Sequence, residues 1–199
     1  MQLGLRPQLP GFAAGVRHFV GAPYTDSVVR RAQHRAMLPT VGKVRSLDQS
    51  DKREFAVTEN TYTAVVTAAG EGRNGGRALS DDGLLDVTLA IPKAMGGVGG
   101  ATNPEQLLAA GWASCFLGAV KRVAAQKKVP VTNLAVIADV TLHHDTQLDE
   151  FLLSAALHIE LSGVDQQTAD ELGAGAHQIC PYSKATRDNV PVTIDATVV

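Results

Sequence analysis

Cysteine is scarce in this sequence, with two residues among 199, Cys115 and Cys180. Secreted domains held together by disulfides carry more, and the N-terminus lacks the basic-then-apolar layout of a secretory signal. We therefore expect a reducing compartment, the cytoplasm. The two cysteines lie 65 positions apart, so the sequence contains neither a CxxC redox motif nor the paired CxxC pattern of a zinc site.

Long apolar runs are also missing, since no stretch of 18 apolar residues occurs without a break. We therefore expect no membrane-spanning segment. Aromatic residues make up 5% of the chain and do not alternate with the basic residues, which disfavours nucleic-acid binding. The glycine-rich stretch 96–100 lacks the spacing of a Walker motif or of a dinucleotide fingerprint. We expect it to allow a close backbone approach to the following helix.

Acidic residues are absent from the first 25 positions, and charge divides the chain. Residues 1–57 hold nine Lys and Arg against four acids, whereas the remainder holds nine against sixteen. This predicts a basic N-terminal extension, 1–57, which we expect to be poorly ordered, and a domain at 58–199. The extension alternatively suits a mitochondrial targeting peptide, or it lies upstream of a true start at Met37.

Residues 103–128 predict a helix that carries Cys115 near its middle. Asn103 suits the cap, Pro104 suits the first turn, and Glu105 suits the positive end of the helix dipole. Apolar residues then occupy nearly every face as far as position 120. We therefore expect a buried helix in which Cys115 is a core thiol.

Alternation of apolar and polar residues predicts five strands. They are expected at 61–68, 85–91, 131–142, 151–161 and 190–198. The apolar face of the first strand would comprise Tyr62, Ala64, Val66 and Ala68. A second helix is expected at 165–179, ending before Pro181. The order β-β-α-β-β-α-β predicts an α+β fold with a mainly antiparallel sheet.

The two cysteines are either inert thiols or a redox pair. His177, three residues before Cys180, would make a third zinc ligand with them, but no fourth ligand is evident, which disfavours zinc. The other polar candidates are expected to be structural, with Ser183 as a helix cap for 184–187. These candidates are His143, His144, His158, Tyr182 and Ser183.

Two segments around the cysteines are distinctive: NPEQLLAAGWASCFLGA at 103–119 and CPYSKATRDN at 180–189. They resemble, almost letter for letter, the two cysteine motifs of the organic hydroperoxide resistance proteins, the Ohr branch of the OsmC/Ohr family. YTAVVTA at 62–68, RNG at 73–75 and MGGVGGATNPEQL at 95–107 match as well. The resemblance extends over about 61–199.

This resemblance implies antiparallel sheets around a buried central helix, an intertwined homodimer, and a peroxidase with four catalytic residues. Cys115 would reduce an organic hydroperoxide to an alcohol and become a sulfenic acid, and Cys180 would close a disulfide with it. Arg73, oriented by Glu105, would stabilise the Cys115 thiolate. Because AAGEGRNG carries one residue more before the arginine than the family pattern, Arg77 is the alternative.

The resemblance also implies partners that no residue reveals directly. A lipoylated protein or dihydrolipoamide would reduce the disulfide, with no bound cofactor and no metal. Apolar side chains near Cys115, namely Trp112, Phe116 and Leu117, would favour organic over hydrogen peroxide. The alternative function is a redox sensor or a binder of a lipid-like ligand on the same fold.

Overall fold

The computed structural model of the chain describes residues 61–199. The predictions for 1–57, including the targeting peptide and the start at Met37, lie outside the described residues. All helices and strands named below belong to one unit, Thr63–Val199. The elements are strands β1 (Val66–Gly70), β2 (Gly76–Ser80) and β3 (Asp86–Leu89), helix α1 (Pro104–Lys127), strands β4 (Thr132–Asp145) and β5 (Glu150–Ser162), helices α2 (Gln166–Ile179) and α3 (Pro181–Thr186), and strand β6 (Val192–Val198).

The strands form two three-stranded sheets, β1-β2-β3 and β4-β5-β6. All neighbouring pairs are antiparallel except β5 and β6, which run parallel. Helices α1 and α2 pack against the second sheet and against each other. The core lies between them and includes Trp112, Phe116, Leu157, Ile159 and Leu172, all with at most 1% of their surface exposed. The predicted α+β class with mainly antiparallel sheets around a central helix is confirmed.

Helix α1 begins as the sequence predicts. The Asn103 side chain accepts a hydrogen bond from the Gln106 backbone N–H at 2.9 Å, and Pro104 opens the first turn. The buried residues all lie in the central and C-terminal turns: Trp112, Phe116, Ala119, Val120, Val123 and Ala124. The prediction that nearly every face is buried is therefore wrong, because the second sheet and α2 cover only one side of the helix.

Within the described part of the chain, α1 is long and apolar enough to cross a membrane by length and composition. The same holds for many helices that lie in a protein core. Six residues of α1 are buried against the rest of this unit. The absence of a membrane span stays a prediction.

The first sheet differs from the prediction in the number of its strands and in the bounds of β1. Strand β2 was missed, because Gly76 pairs with Gly70 across a tight turn and the short strand shows no period-two pattern. Strand β1 starts at Val66 because its partner β2 ends at the matching residue, Ser80. The apolar residues assigned to one face of the predicted first strand are exposed, with Tyr62 at 86% and Val66 at 48%.

Two local predictions also need correction. The glycine-rich stretch approaches Ile91 rather than the helix, since a Cβ on Gly97 would lie 2.2 Å from the Ile91 carbonyl oxygen. Ser183 does not cap a helix at 184–187. It lies inside α3, fully buried, because Cys180 takes the cap position and Pro181 the first turn.

Candidate active site

The fold brings the two cysteines together from positions 65 residues apart. The Cys180 thiol donates to the Cys115 sulfur with 3.6 Å between the Sγ atoms. Both are free thiols; Cys180 is fully buried, whereas Cys115 is half-buried on α1. Since a disulfide needs an S–S separation of about 2.05 Å, a small movement joins them. The predicted core thiol Cys115 thus packs against the core but is only partly buried.

Cys180 lies at the junction of two helices. Its backbone N–H donates to the Ala176 carbonyl at the end of α2, and its own carbonyl accepts from the Lys184 N–H in α3. Pro181 disfavours a helical conformation in the residue before it, so the chain turns at Cys180. Backbone hydrogen bonds on both sides hold the sulfur against α1.

The pKa of the Cys115 thiol is raised above its ordinary value. Burial is the main cause, because a thiolate loses hydration there. The Tyr182 backbone N–H lowers the pKa, whereas the hydrogen bond and the charge of Cys180 raise it further. Arg73 is not among the groups that act on this pKa. Among the described residues, therefore, the surroundings of Cys115 favour the unreactive thiol at neutral pH.

Arg73 and Glu105 form a two-pronged ion pair. The Arg73 Nη1 and Nη2 atoms lie 2.9 and 2.8 Å from the two Glu105 carboxylate oxygens. Arg73 is on the 3₁₀ turn Gly72–Asn74 that follows β1, and Glu105 is in the first turn of α1. A planar guanidinium matched to a carboxylate in this way has a fixed orientation.

Arg77, the alternative arginine, is occupied differently. It lies on β2 and pairs through Nε and Nη2 with both carboxylate oxygens of Asp86 on β3. Its guanidinium holds the pKa of Asp86 below the usual value. The ion pair with Glu105 is thus made by Arg73, while the catalytic role of either arginine stays a prediction.

The Arg73–Glu105 pair lies far along α1 from the sulfur in the same chain. Glu105 and Cys115 are ten residues apart in one helix. At about 1.5 Å of rise per residue, this places their backbones about 15 Å apart. The structure therefore brings together two predicted pairs, Cys115 with Cys180 and Arg73 with Glu105, but not the two pairs with each other.

Of the three side chains predicted to bind substrate, only Leu117 has exposed surface. Trp112 and Phe116 are 0% exposed and belong to the core. Trp112 also donates through Nε1 to the Ser183 hydroxyl at 3.4 Å. Their role in substrate binding stays a prediction.

An apolar cavity adjoins Arg73, which the sequence did not indicate. It measures about 200 Å³ and is lined by Arg73, Asn74, Ile91, Pro92, Met95, Leu142, His144 and Phe151. A larger cavity of about 580 Å³ shares three of these residues and extends to Glu105. The lining comes from four separate segments, so only the fold assembles it.

The remaining polar candidates are histidines. His177 on α2 has a buried Nδ1 atom without a hydrogen-bond partner, and its pKa is lowered mainly by burial. Across the described residues, no group of three or more His, Cys, Asp or Glu side chains is arranged to hold a metal ion. His143 contacts Ser154, His144 contacts Asp149, and His158 contacts both Asp195 and Asp139.

Comparison with known proteins gives the same family from sequence and from structure. The family model for OsmC-like proteins matches residues 97–195. An organic hydroperoxide resistance protein from Xanthomonas axonopodis pv. citri is 45% identical over 138 residues, covering 67% of this chain and 92% of that protein.

Comparison with solved structures leads to the same family. An organic hydroperoxide resistance protein from Legionella pneumophila matches with a TM-score of 0.65 and 43% identity, covering 70% of this chain and all of that one. OhrB of Bacillus subtilis matches with a TM-score of 0.61 and 40% identity, covering 68% of this chain and 98% of that one. The chain therefore belongs to the OsmC/Ohr family, and the three relatives described above are organic hydroperoxide resistance proteins.

Proposed function

We propose that this protein is a two-cysteine peroxidase that reduces organic hydroperoxides to alcohols. The observation that carries the proposal is the pair of free thiols, 3.6 Å apart, in a chain of this family. Half-exposed Cys115 suits the attacking role, and fully buried Cys180 suits the resolving role, because a peroxide can reach only the first.

The proposed cycle has two steps on the protein. The Cys115 thiol first loses its proton; the thiolate then attacks the terminal peroxide oxygen, the O–O bond breaks, and the alkoxide takes up a proton to leave as the alcohol. The sulfur keeps the oxygen as a sulfenic acid. Cys180 then attacks the Cys115 sulfur, and the S–O bond breaks with loss of water. This leaves a disulfide, which a dithiol must reduce by thiol–disulfide exchange.

The thiolate needs a positive charge that the described part of its own chain does not bring near. Burial raises the Cys115 pKa, and the Arg73–Glu105 pair lies about 15 Å further along the same helix. We infer that a second copy supplies the pair, so that Arg73 of one protomer faces Cys115 of the other. This inference extends the predicted homodimer with active sites near its interface.

The exposed apolar face of β1 supports a dimer of this kind. Val66 and Ala68 lie on the same face of β1, and both are exposed, Val66 by 48% of its surface. Apolar residues that alternate along a strand normally cover a core. A second copy is the occupant that would bury this face and bring a foreign Arg73 with it.

The cavity beside Arg73 suits the organic part of the substrate. Ile91, Met95, Leu142 and Phe151 supply apolar walls around one guanidinium. Burial of an alkyl chain contributes about 0.8 kcal/mol per methylene group, a gain that hydrogen peroxide cannot make. The proposed specificity for organic hydroperoxides therefore rests on this cavity more than on the fully buried Trp112 and Phe116.

The reductant is proposed as a lipoyl group, on a protein or as free dihydrolipoamide. Its two thiols close into a ring on oxidation, so one molecule reduces one Cys115–Cys180 disulfide completely. We propose that 58–199 carries this whole activity, because the relatives match that part of the chain over 92–100% of their own length.

The proposal is tested by turnover of cumene hydroperoxide with dihydrolipoamide. Sustained consumption that is lost in both Cys115→Ser and Cys180→Ser is the expected result. Loss of two thiols per chain without turnover would instead indicate a redox sensor. No thiol loss would indicate a ligand-binding protein.

Subunit complementation tests the origin of the arginine. Cys115→Ser and Arg73→Ala chains are each expected to be inactive alone. In a randomly reassembled mixture, half the dimers contain both chains, and each has one intact site if Arg73 acts across the interface. About a quarter of wild-type activity should then return. An inactive mixture of confirmed heterodimers would place Arg73 and Cys115 in the same chain.

A further inference from the structure

Gly111 lies inside α1, where glycine is normally unfavourable. An internal glycine costs about 1 kcal/mol relative to alanine in a helix, because it loses more backbone freedom on folding. Its surroundings supply the reason. A Cβ at this position would lie 2.9 Å from the Tyr182 hydroxyl oxygen and 3.3 Å from the ring carbon that carries it. The Tyr182 ring thus rests directly on the helix backbone.

Gly111 and Tyr182 are each close in sequence to one of the two sulfurs. Gly111 precedes Cys115 by four residues, which is one helical turn on the same face. Tyr182 follows Cys180 by two residues in the first turn of α3. Because Tyr182 and Cys180 belong to the same short segment, a shift of this segment away from α1 would move the Cys180 sulfur as well.

A second contact beside the first restricts the same segment. Trp112 donates to Ser183 through a buried hydrogen bond, and both side chains are 0% exposed. Consecutive residues of α1 thus hold consecutive residues of α3. The hydrogen bond between Trp112 and Ser183 holds α3 close to α1. The contact between the Tyr182 ring and Gly111 limits how closely α3 approaches α1.

We propose that Gly111 is a positioning residue for the resolving step: its missing side chain lets Tyr182 seat on α1 and so sets the distance between Cys180 and oxidised Cys115. The inference rests on the proposed peroxidase cycle. It concerns the condensation step, in which Cys180 displaces water from the Cys115 sulfenic acid. The first step, attack on the peroxide, does not use Cys180.

The chain offers a matched control. Gly118 lies on the same helix, is exposed, and has nothing within 4 Å of the position its Cβ would take. Gly118→Ala and Gly111→Ala should gain the same intrinsic helix propensity. Only Gly111→Ala adds a methyl group that pushes against Tyr182.

The experiment compares the two steps in wild type, Gly111→Ala and Gly118→Ala. Each reduced protein is mixed with one equivalent of cumene hydroperoxide and an excess of dimedone, which traps the sulfenic acid before it condenses. Gly111→Ala is expected to form sulfenic acid at the wild-type rate but to condense about tenfold more slowly, because displacements near 1 Å cost up to about a hundredfold. Its dimedone adduct should rise accordingly, and Gly118→Ala should behave as wild type.

Rescue separates positioning from a general loss of stability. In Tyr182→Phe the atom closest to the new methyl group is gone, and the next lies at 3.3 Å. The double variant Gly111→Ala with Tyr182→Phe should therefore recover most of the condensation rate. A wild-type rate in Gly111→Ala, or an equal loss in both steps, would overturn the inference. So would failure of the rescue.

A peroxide-free measurement keeps this inference separate from the proposed function. Diamide oxidises two thiols to a disulfide and is itself reduced to a hydrazine, taking up two electrons and two protons. Diamide should close Cys115–Cys180 about tenfold more slowly in Gly111→Ala than in Gly118→Ala. A wild type that closes the disulfide with diamide but ignores peroxide would defeat the proposed function alone. Equal diamide rates in the two variants would defeat the inference alone.

Discussion

Burial and peroxide chemistry make opposite demands on Cys115. Burial raises the pKa of the thiol, whereas attack on a peroxide needs the thiolate. The Tyr182 backbone N–H offsets part of the effect of burial, and Cys180 adds to it. The balance falls on the side of the thiol within one chain, so an arginine from outside that chain has a clear electrostatic task.

The first prediction concerns this titration. In a Cys180→Ser background, the alkylation rate of Cys115 is measured against pH with and without Arg73→Ala. The Arg73→Ala variant should titrate at higher pH than the protein that keeps Arg73, because burial still raises the Cys115 pKa and the positive charge is lost. In the protein that keeps Arg73, the guanidinium should favour the thiolate and so lower the pH at which Cys115 titrates. Arg77→Ala is the control, since Arg77 pairs with Asp86, and it should leave the Cys115 titration unchanged.

His158 provides the second prediction, which concerns stability. Its Nδ1 and Nε2 atoms lie 2.7 and 3.2 Å from carboxylate oxygens of Asp195 and Asp139 on the two flanking strands. The hydrogen bond to Asp195 is the main cause that raises the His158 pKa. A pKa raised by folding stabilises the protein fully below the unfolded value of about 6.5, and the contribution disappears as pH rises through the folded value.

The measurement is urea unfolding of wild type and His158→Gln on both sides of that window. The excess of wild-type stability over that of His158→Gln should shrink as pH rises from about 6 to about 8. His143→Gln is the control, because His143 contacts the uncharged Ser154. Identical pH profiles for wild type and His158→Gln would mean that the two carboxylates do not act on folding stability.

Helix α1 shows what the sequence could and could not reveal about elements. Its start was predictable because Asn103, Pro104 and Glu105 act through local backbone geometry and the helix dipole. Its buried side was not, because an all-round apolar helix gives no preferred face. The packing of the second sheet decided it.

The other differences between prediction and structure also arise from the way segments pair and join, not from local sequence patterns. Strand β2 was missed because it is defined by its pairing with β1 and β3, not by alternation. Helix α3 was misplaced because Cys180 both ends α2 and caps α3. For the candidate site, the 3.6 Å contact between the sulfurs and the Arg73–Glu105 pair agree with what the family resemblance implied. The cavity beside Arg73 is built from distant segments and has no sequence signature.

The third prediction tests the link between the start of α1 and the site. Asn103→Ala should lower the free energy of unfolding by about 1 kcal/mol, because the cap hydrogen bond to Gln106 is lost. Peroxidase activity should fall as well, since fraying of the first turn releases Glu105 and with it Arg73. Asn103→Asp keeps the acceptor and should retain both properties.

Asp165→Ala is the matched control for this prediction. Asp165 caps α2 by accepting from the Thr168 N–H at 2.8 Å, far in sequence from the Arg73–Glu105 pair. It should cost a similar amount of stability and leave activity at saturating substrate unchanged. Equal activity losses in Asn103→Ala and Asp165→Ala would show that only global stability, and not the position of Glu105, is affected.

For the molecule as a whole, the described chain contains both halves of the candidate site but holds them apart. One half is the sulfur pair between α1 and α3, and the other is the ion pair at the start of α1. The exposed apolar face belongs to β1, and the turn that follows β1 carries Arg73. Burial of that face by a second copy would therefore fix the segment that delivers the arginine.

The fourth prediction places a charge on this face. Val66→Lys should give a monomer by analytical ultracentrifugation, because a buried lysine without a partner is costly in an apolar interface. Leu84→Lys is the control. Leu84 is 90% exposed at the turn between β2 and β3, so this variant should leave the dimer intact.

The Val66→Lys monomer should lose peroxide turnover, since Arg73 of the partner is gone. It should still close the Cys115–Cys180 disulfide with diamide, because both sulfurs belong to one chain. A monomeric variant with full turnover would contradict the shared site, and a variant that remains a dimer would move the interface to another face.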